Sequence, residues 1–212
     1  MVDIVYQCNI VYQDDRLIVL DKPSGLLAVP GRGPDLQDCL SARVQAMLPR
    51  ALVVHRLDRD TSGLMVMALD PVAQRELSRK FADREVEKQY VAVVFDCPAE
   101  DGGTIDLPMR KDFDRPPRHM IDPVHGRPAR TAWRLVASFA DRSRLEVHPL
   151  TGRSHQIRLH LATLGHPILG DNLYAPDAAR AMAPRLLLHA ERLALPHPAD
   201  GRRMEWSSTC PF

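Results

Sequence analysis

The chain has 212 residues, 45% of them hydrophobic and 26% charged, with a net charge of +1. That size and apolar share suit one large domain or two packed halves. The near-zero charge excludes a polybasic arm gripping nucleic acid by charge alone, although a local basic patch remains open. Cys8, Cys39, Cys97 and Cys210 lie far apart, with no CxxC pair and no Cys/His metal spacing. They read as reduced thiols of a cytoplasmic protein. Met1 to Ile4 lacks the basic start and apolar stretch of a signal peptide. No apolar run is long enough to span a bilayer.

In chain order, Ile10 to Gln13 and Leu17 to Leu20 read as strands around an Asp14-Asp15 turn. Pro23 and Gly25 break the second strand. Asp35 is the expected N-cap of a helix with Leu36, Leu40, Val44 and Met47 on one face. Ala51 to His55 reads as extended, Arg56 to Gly63 as a polar turn, and Leu64 to Leu69 as a buried strand. Asp70-Pro71 opens a helix that buries Ala73, Leu77 and Phe81. Tyr90 to Phe95 is another buried strand. Residues 98 to 106, acidic and Gly-rich, read as a loop, and residues 110 to 130 show no clear period. Strands resume at Thr131 to Val136 and Arg144 to His148. Thr151-Gly152 then leads into a helix stopped by Gly165. A short helix at Asp177 to Met182 and strands at Leu186 to Leu195 and Met204 to Ser207 complete the chain. Helices without strict βαβ alternation predict an α+β fold on a mixed, largely antiparallel sheet.

The segment from His55 to Gly63 stands out, because a polar loop framed by two apolar strands suits a functional site. By residue physics alone Asp58 reads rather as a turn-capping carboxylate. The nine histidines form no i, i+4 pair beside a carboxylate, so no metal is expected.

His55-Arg56-Leu57-Asp58-x-x-Thr61-Ser62-Gly63 resembles the signature of the RluA family of pseudouridine synthases. Four further stretches are similar to that family, in family order: Leu17 to Leu26, Lys88 to Ala92, Leu150 to Arg158 and Gly165 to Asp171. One short match would be weak; five in order are not coincidence. Val29 to Arg32 and Ala179 to Glu191 resemble the subgroup that acts on both 23S rRNA and tRNA. The stretch from Cys97 to Val124 matches least and is a candidate for subgroup-specific RNA contacts.

The resemblance implies a pseudouridine synthase fold, a single catalytic domain over residues 1–212 in two packed halves without an S4 domain, and no cofactor. It implies Asp58 as the catalytic carboxylate, attacking ribose or base or removing the C2′ proton. It implies Arg158 as the cation that keeps Asp58 ionised, and Tyr90 as the surface beneath the target uracil. Arg56 enters the RNA as the base flips, positioned by His55. Arg153 contacts phosphate or braces its loop, and Ile157 forms an apolar wall. The basic run Arg110, Lys111, Arg115, Arg118, Arg127, Arg130 and Arg134 is a candidate RNA surface, set against a plain solvated loop. The expected partners are structured RNAs, 23S rRNA and tRNA, with no membrane, no obligate protein partner and a monomeric state. Two other classes compete. A non-catalytic RNA-binding module would not need Asp58, Tyr90 and Arg158 together. A carboxylate glycosidase or phosphotransferase would need a second acid motif or a phosphate loop.

Overall fold

The computed structural model describes residues 8–212. The reading of Met1 to Ile4 lies outside them. The first elements are β1 (Asn9–Gln13), β2 (Leu17–Lys22), α1 (Leu40–Met47), β3 (Leu52–Val53), β4 (Ser62–Ala68) and α2 (Pro71–Ala82). Next come β5 (Glu87–Phe95), β6 (Gly102–Asp106), β7 (Met109–Lys111), β8 (His119–Ile121), β9 (Arg130–Ser138) and β10 (Arg142–Pro149). The last are α3 (Gln156–Thr163), α4 (Asp177–Ala181), β11 (Leu188–Pro196) and β12 (Arg203–Ser207). The α+β class and the antiparallel pairing are as expected. The chain forms two compact units. One holds the residues up to Glu87 with Ala190–Thr209, the other Lys88–His189 with Cys210–Phe212.

In the first unit the strands run β1-β2-β4-β11, with β12 beside β11 and β3 beside β4. Every residue of β4 is buried. Alternate side chains of a strand face opposite ways. Here Leu64, Val66 and Ala68 join Leu17 and Val19 beneath Ala73 and Leu77 of α2. Met65 and Met67 join Ile18 and Leu20 beneath Leu40 and Val44 of α1. A sheet covered on both faces explains why this strand reads as an unbroken apolar run. Asp70 caps α2 as expected, its Oδ1 accepting from the Val72 and Ala73 amides at 2.7 and 2.9 Å.

The start of α1 corrects the sequence reading. Asp35 lies in a short 3-10 turn, Pro34–Leu36, and the N-cap is Cys39, whose Sγ accepts from the Ala42 amide at 3.4 Å. Leu36 is exposed instead of lying on the helix's apolar face. The helix begins where Leu40 and Ser41 donate to the Leu27 and Ala28 carbonyls at 2.8 and 3.1 Å. That pairing is tertiary, and local capping preference yields to it.

In the second unit the strands run β5-β10-β9-β6, and β7 and β8 form a separate hairpin. The core packs Ala92, Val94, Trp133, Leu145 and Val147 against Ile157 and Leu161 of α3. The expected loop over residues 98–106 is half strand: β6 pairs with β9 from Gly102↔Arg134 to Asp106↔Arg130. Only Ile105 of this strand is buried, so no alternating pattern betrays it. A Cβ on Gly102 would come within 2.8 Å of the Trp133 carbonyl, so the residue that looked like a loop marker serves close packing. Likewise β7 and β8 fall almost wholly in the stretch without periodicity, because three-residue strands whose one buried side chain is Met109 leave no period to read. Gly165 ends α3 at φ +98. The His166 amide donates to Leu161 O at 2.9 Å and the Gly165 amide to Ala162 O at 3.1 Å, the paired bonds of a Schellman motif.

Candidate active site

Asp58 sits at the head of a turn between β3 and β4 in the first unit, and the Thr61 amide closes that turn on the Asp58 carbonyl at 3.2 Å. The end of β2 braces it. Lys22 is 0% exposed. Its Nζ donates to the carbonyls of Pro23, Leu26 and Arg59 at 2.8, 2.7 and 2.8 Å. Ser24 Oγ donates to Asp60 O at 2.7 Å, and the Gly25 amide to Arg59 O at 3.0 Å. Arg59 Nε returns a bond to Gly25 O at 3.0 Å. The Lys22-Pro23-Ser24-Gly25 stretch is thus more than a strand breaker, because it holds the Asp58 turn by main-chain atoms.

Gly63 follows at φ +110, and a Cβ there would lie 2.3 Å from the Ala190 carbonyl of β11. Only glycine permits both the conformation and the approach. His55 accepts the Val66 amide on Nε2 at 3.0 Å and stacks on Phe81, with ring centroids 4.4 Å apart. An accepting Nε2 leaves the neutral imidazole's proton on Nδ1. His55 therefore ties the start of the loop to β4 and α2. Arg56 next to it is exposed, Leu57 is buried and Asp58 is half-buried.

The second unit holds the remaining residues. Tyr90 on β5 is half-buried and packs against the cluster that contains Ile157. Arg158 is 3% exposed, so it is not the surface residue an amphipathic helix would give. Asp171 grips it with two parallel bonds, Nε to Oδ2 at 2.8 Å and Nη2 to Oδ1 at 2.6 Å. Asn172 Oδ1 accepts a third at 3.2 Å. Burial pushes the Asp171 carboxyl up, but the guanidinium and the Leu173 and Tyr174 amides outweigh it, so the net shift is downward. The Tyr174 ring lies under the guanidinium at 5.5 Å. Asp171 was legible only as the last residue of a matching stretch. Nothing in its spacing from Arg158 announces a bidentate clamp.

A chain of side chains sets the entry to α3. The Arg130 amide donates to Thr151 Oγ1 at 2.9 Å, and that hydroxyl donates to Gln156 Oε1 at 2.6 Å. The Arg153 amide also donates to Gln156 Oε1, at 3.0 Å. Gln156 Nε2 donates to Arg130 O at 2.9 Å and to Thr131 Oγ1 at 3.0 Å. The Thr131 hydroxyl meets His160 Nδ1 at 2.9 Å, and His160 Nε2 meets Leu107 O at 3.0 Å. A carbonyl only accepts, so Nε2 carries the proton and Nδ1 accepts. Burial pushes the His160 pKa down, which suits this neutral tautomer. His155 takes a left-handed φ of 58 before the helix, with Nδ1 2.9 Å from the Tyr174 hydroxyl. His119 and His155, distant in sequence, meet edge to face at 5.2 Å. Arg153 is exposed and its Nε donates to Pro128 O at 3.3 Å, a bond that braces the loop.

The basic run of residues 110–134 is less available than its sequence suggests. Arg110 pairs with Asp122, Arg115 with Asp112 at 2.9 Å, Arg134 with Glu146 at 3.0 Å and Arg130 with Asp106 at 4.0 Å. Among the described residues Lys111, Arg118 and Arg127 have no ion pair, and Arg118 lies over the Tyr174 ring at 6.0 Å.

The first unit thus presents a carboxylate on a rigid turn, beside an exposed arginine. The second presents an aromatic face above an apolar wall and a buried, fixed guanidinium. The sequence model of the RNA pseudouridylate synthases matches residues 16–163, a span that holds Asp58, Tyr90 and Arg158. The chain belongs to that family, specifically its RluA branch, and is an RNA-modifying isomerase. It is 49% identical over 204 residues, 96% of this chain and 93% of the other, to the dual-specificity RNA pseudouridine synthase RluA of Escherichia coli K12. It is 45% identical to the enzyme of the same description from Yersinia pestis, over 96% of this chain and 99% of that one. Among solved structures, the human RNA pseudouridylate synthase domain containing 1 superposes with a TM-score of 0.81 at 28% identity, over 98% of this chain and 85% of that one. Among the described residues no helix is long and apolar enough to cross a membrane.

Proposed function

We propose that this isomerase acts on uridines in two kinds of structured RNA, loops of 23S rRNA and the anticodon stem-loops of tRNAs, as a cytoplasmic monomer. Asp58, Tyr90 and Arg158 are its catalytic residues. The reaction breaks the N1–C1′ bond, turns the uracil and joins C5 to C1′. C5 gives up its proton and N1 gains one, so the change is redox-neutral, no group leaves, and no cofactor is called for. The observation that carries this reading is the Asp58 turn itself, held by Lys22, Ser24 and Gly25 through bonds that do not use the Asp58 carboxylate. A carboxylate so placed can act on a sugar or base with little reorganisation. Tyr90 supports the uracil, Ile157 backs it, and Arg56 fills the gap left in the stack, with His55 holding its loop. Arg153 lies beside phosphate. The dual-specificity description of the bacterial relatives supports two RNA substrates.

The test is tritium release from RNA labelled at uridine C5, with pseudouridine mapping, on 23S rRNA and tRNA transcripts. The intact protein should release label from both, and Asp58→Asn should release none above background. Undiminished release by the Asn variant would overturn the Asp58 role, and no release from tRNA would overturn the dual substrate. Arg56→Ala should lose more rate on folded stem-loops than on short flexible RNA.

A further inference from the structure

Among the described residues only two large aromatic side chains are exposed, Phe113 and Phe139. Phe113 is 77% exposed, in the connection between β7 and β8 of the second unit. That connection is built, not loose. Asp112, just before the ring, is buried and folds the loop around itself. Its Oδ1 accepts from the Asp114 and Arg115 amides at 3.1 and 3.2 Å, and its Oδ2 from Arg115 Nε at 2.9 Å. The Asp112 amide donates to Arg118 O at 3.0 Å, and the Arg118 amide to Arg115 O at 2.9 Å. The base of the hairpin is pinned by the His119 amide on the Tyr174 hydroxyl at 2.8 Å. An aromatic ring kept in water by an ordered loop is presented, not stranded.

The charges around Phe113 say to what. Lys111 is exposed and has no ion pair, and Arg115 shows most of its guanidinium to solvent although it is tied to Asp112. Asp114 is the one exposed carboxylate in this loop. Phe139 sits at the β9–β10 turn, where the exposed cation Arg142 is paired with Asp141 at 3.3 Å. A ring with cations at its flanks is the composition of a single-strand platform, where a base stacks and neighbouring phosphates meet the charges.

We propose that Phe113 is a stacking platform for an unpaired base of the RNA substrate, with Lys111 and Arg115 on the adjoining phosphates. This rests on the RNA reading above and extends it to a second contact on the hairpin. The experiment measures RNA affinity and steady-state kinetics on one stem-loop carrying 2-aminopurine at its unpaired positions, over a range of salt. Phe113→Leu should lose roughly 10-fold in affinity and raise KM similarly, with kcat at saturating RNA and the salt slope unchanged. Phe113→Trp should restore binding, and quenching of 2-aminopurine should follow the aromatic ring. Lys111→Ala should lower the salt slope by about one. Phe139→Leu, the control, should leave affinity and KM alone. Because the ring is exposed, the melting temperature of Phe113→Leu should match the parent, which separates binding from folding. Equal affinity and KM for Phe113→Leu and the parent would overturn the platform. A parent that releases no label from any RNA would instead overturn the substrate reading.

Discussion

The Asp58 turn and the entry to α3 are both polar segments leading into an apolar element, but they are held by opposite means. The turn is gripped by its carbonyls: Asp58, Arg59 and Asp60 each accept a bond, from Thr61, from Lys22 and Gly25, and from Ser24. The entry to α3 is gripped by side chains, through Thr151, Gln156, Thr131 and His160, while Arg158 is locked by Asp171. A turn braced through its backbone can change its outward side chains and keep its shape. A helix braced through its side chains cannot. Chemistry and scaffold are separable in the first segment and fused in the second.

Substitutions can break this contrast. The largest effect is expected from Asp171→Ala. Removing one partner of a buried, bidentate ion pair costs about 3–5 kcal/mol, so both melting temperature and tritium release should collapse together. A folded variant of normal stability that is merely slow would show that the clamp serves chemistry alone. Next comes Lys22→Met. It strips a charged donor from three carbonyls at a cost of about 2 kcal/mol, and should reduce turnover through a loosened Asp58 turn while α3 keeps its protection from hydrogen exchange. Matching loss of protection in both segments would erase the distinction drawn here.

The smallest effect is a pH slope. His160 is held neutral, its pKa pushed below the ordinary 6.5 by burial. The unfolded chain therefore binds more protons between the two values. The network's contribution is complete above about pH 6.5 and fades as pH falls below it. The melting temperature should drop more steeply from pH 7 to 5 in the parent than in His160→Gln; identical slopes would remove His160 as the cause.

Much was legible in the sequence because it was local. The apolar runs of β4 and β5, the Asp70-Pro71 start of α2 and the Gly165 stop of α3 each follow from neighbouring residues. The ordered motifs carried the family without any coordinates. Elements with little buried surface were not legible. The strand at Gly102–Asp106 and the β7–β8 hairpin exist because partners lie alongside, and Cys39 displaces Asp35 as a cap because the backbone at Leu27 and Ala28 fixes where α1 begins.

The Asp58 run shows the same division. Its residue types, their order and the family they mark belong to the sequence alone. Only the tertiary structure could show that Lys22 stands beneath Arg59, that Ala190 leaves room for nothing but Gly63, and that Arg158 is met by Asp171. Each of those contacts joins residues far apart along the chain or outside any helical period, and a linear pattern holds no record of which distant backbone will come within 3 Å of which side chain.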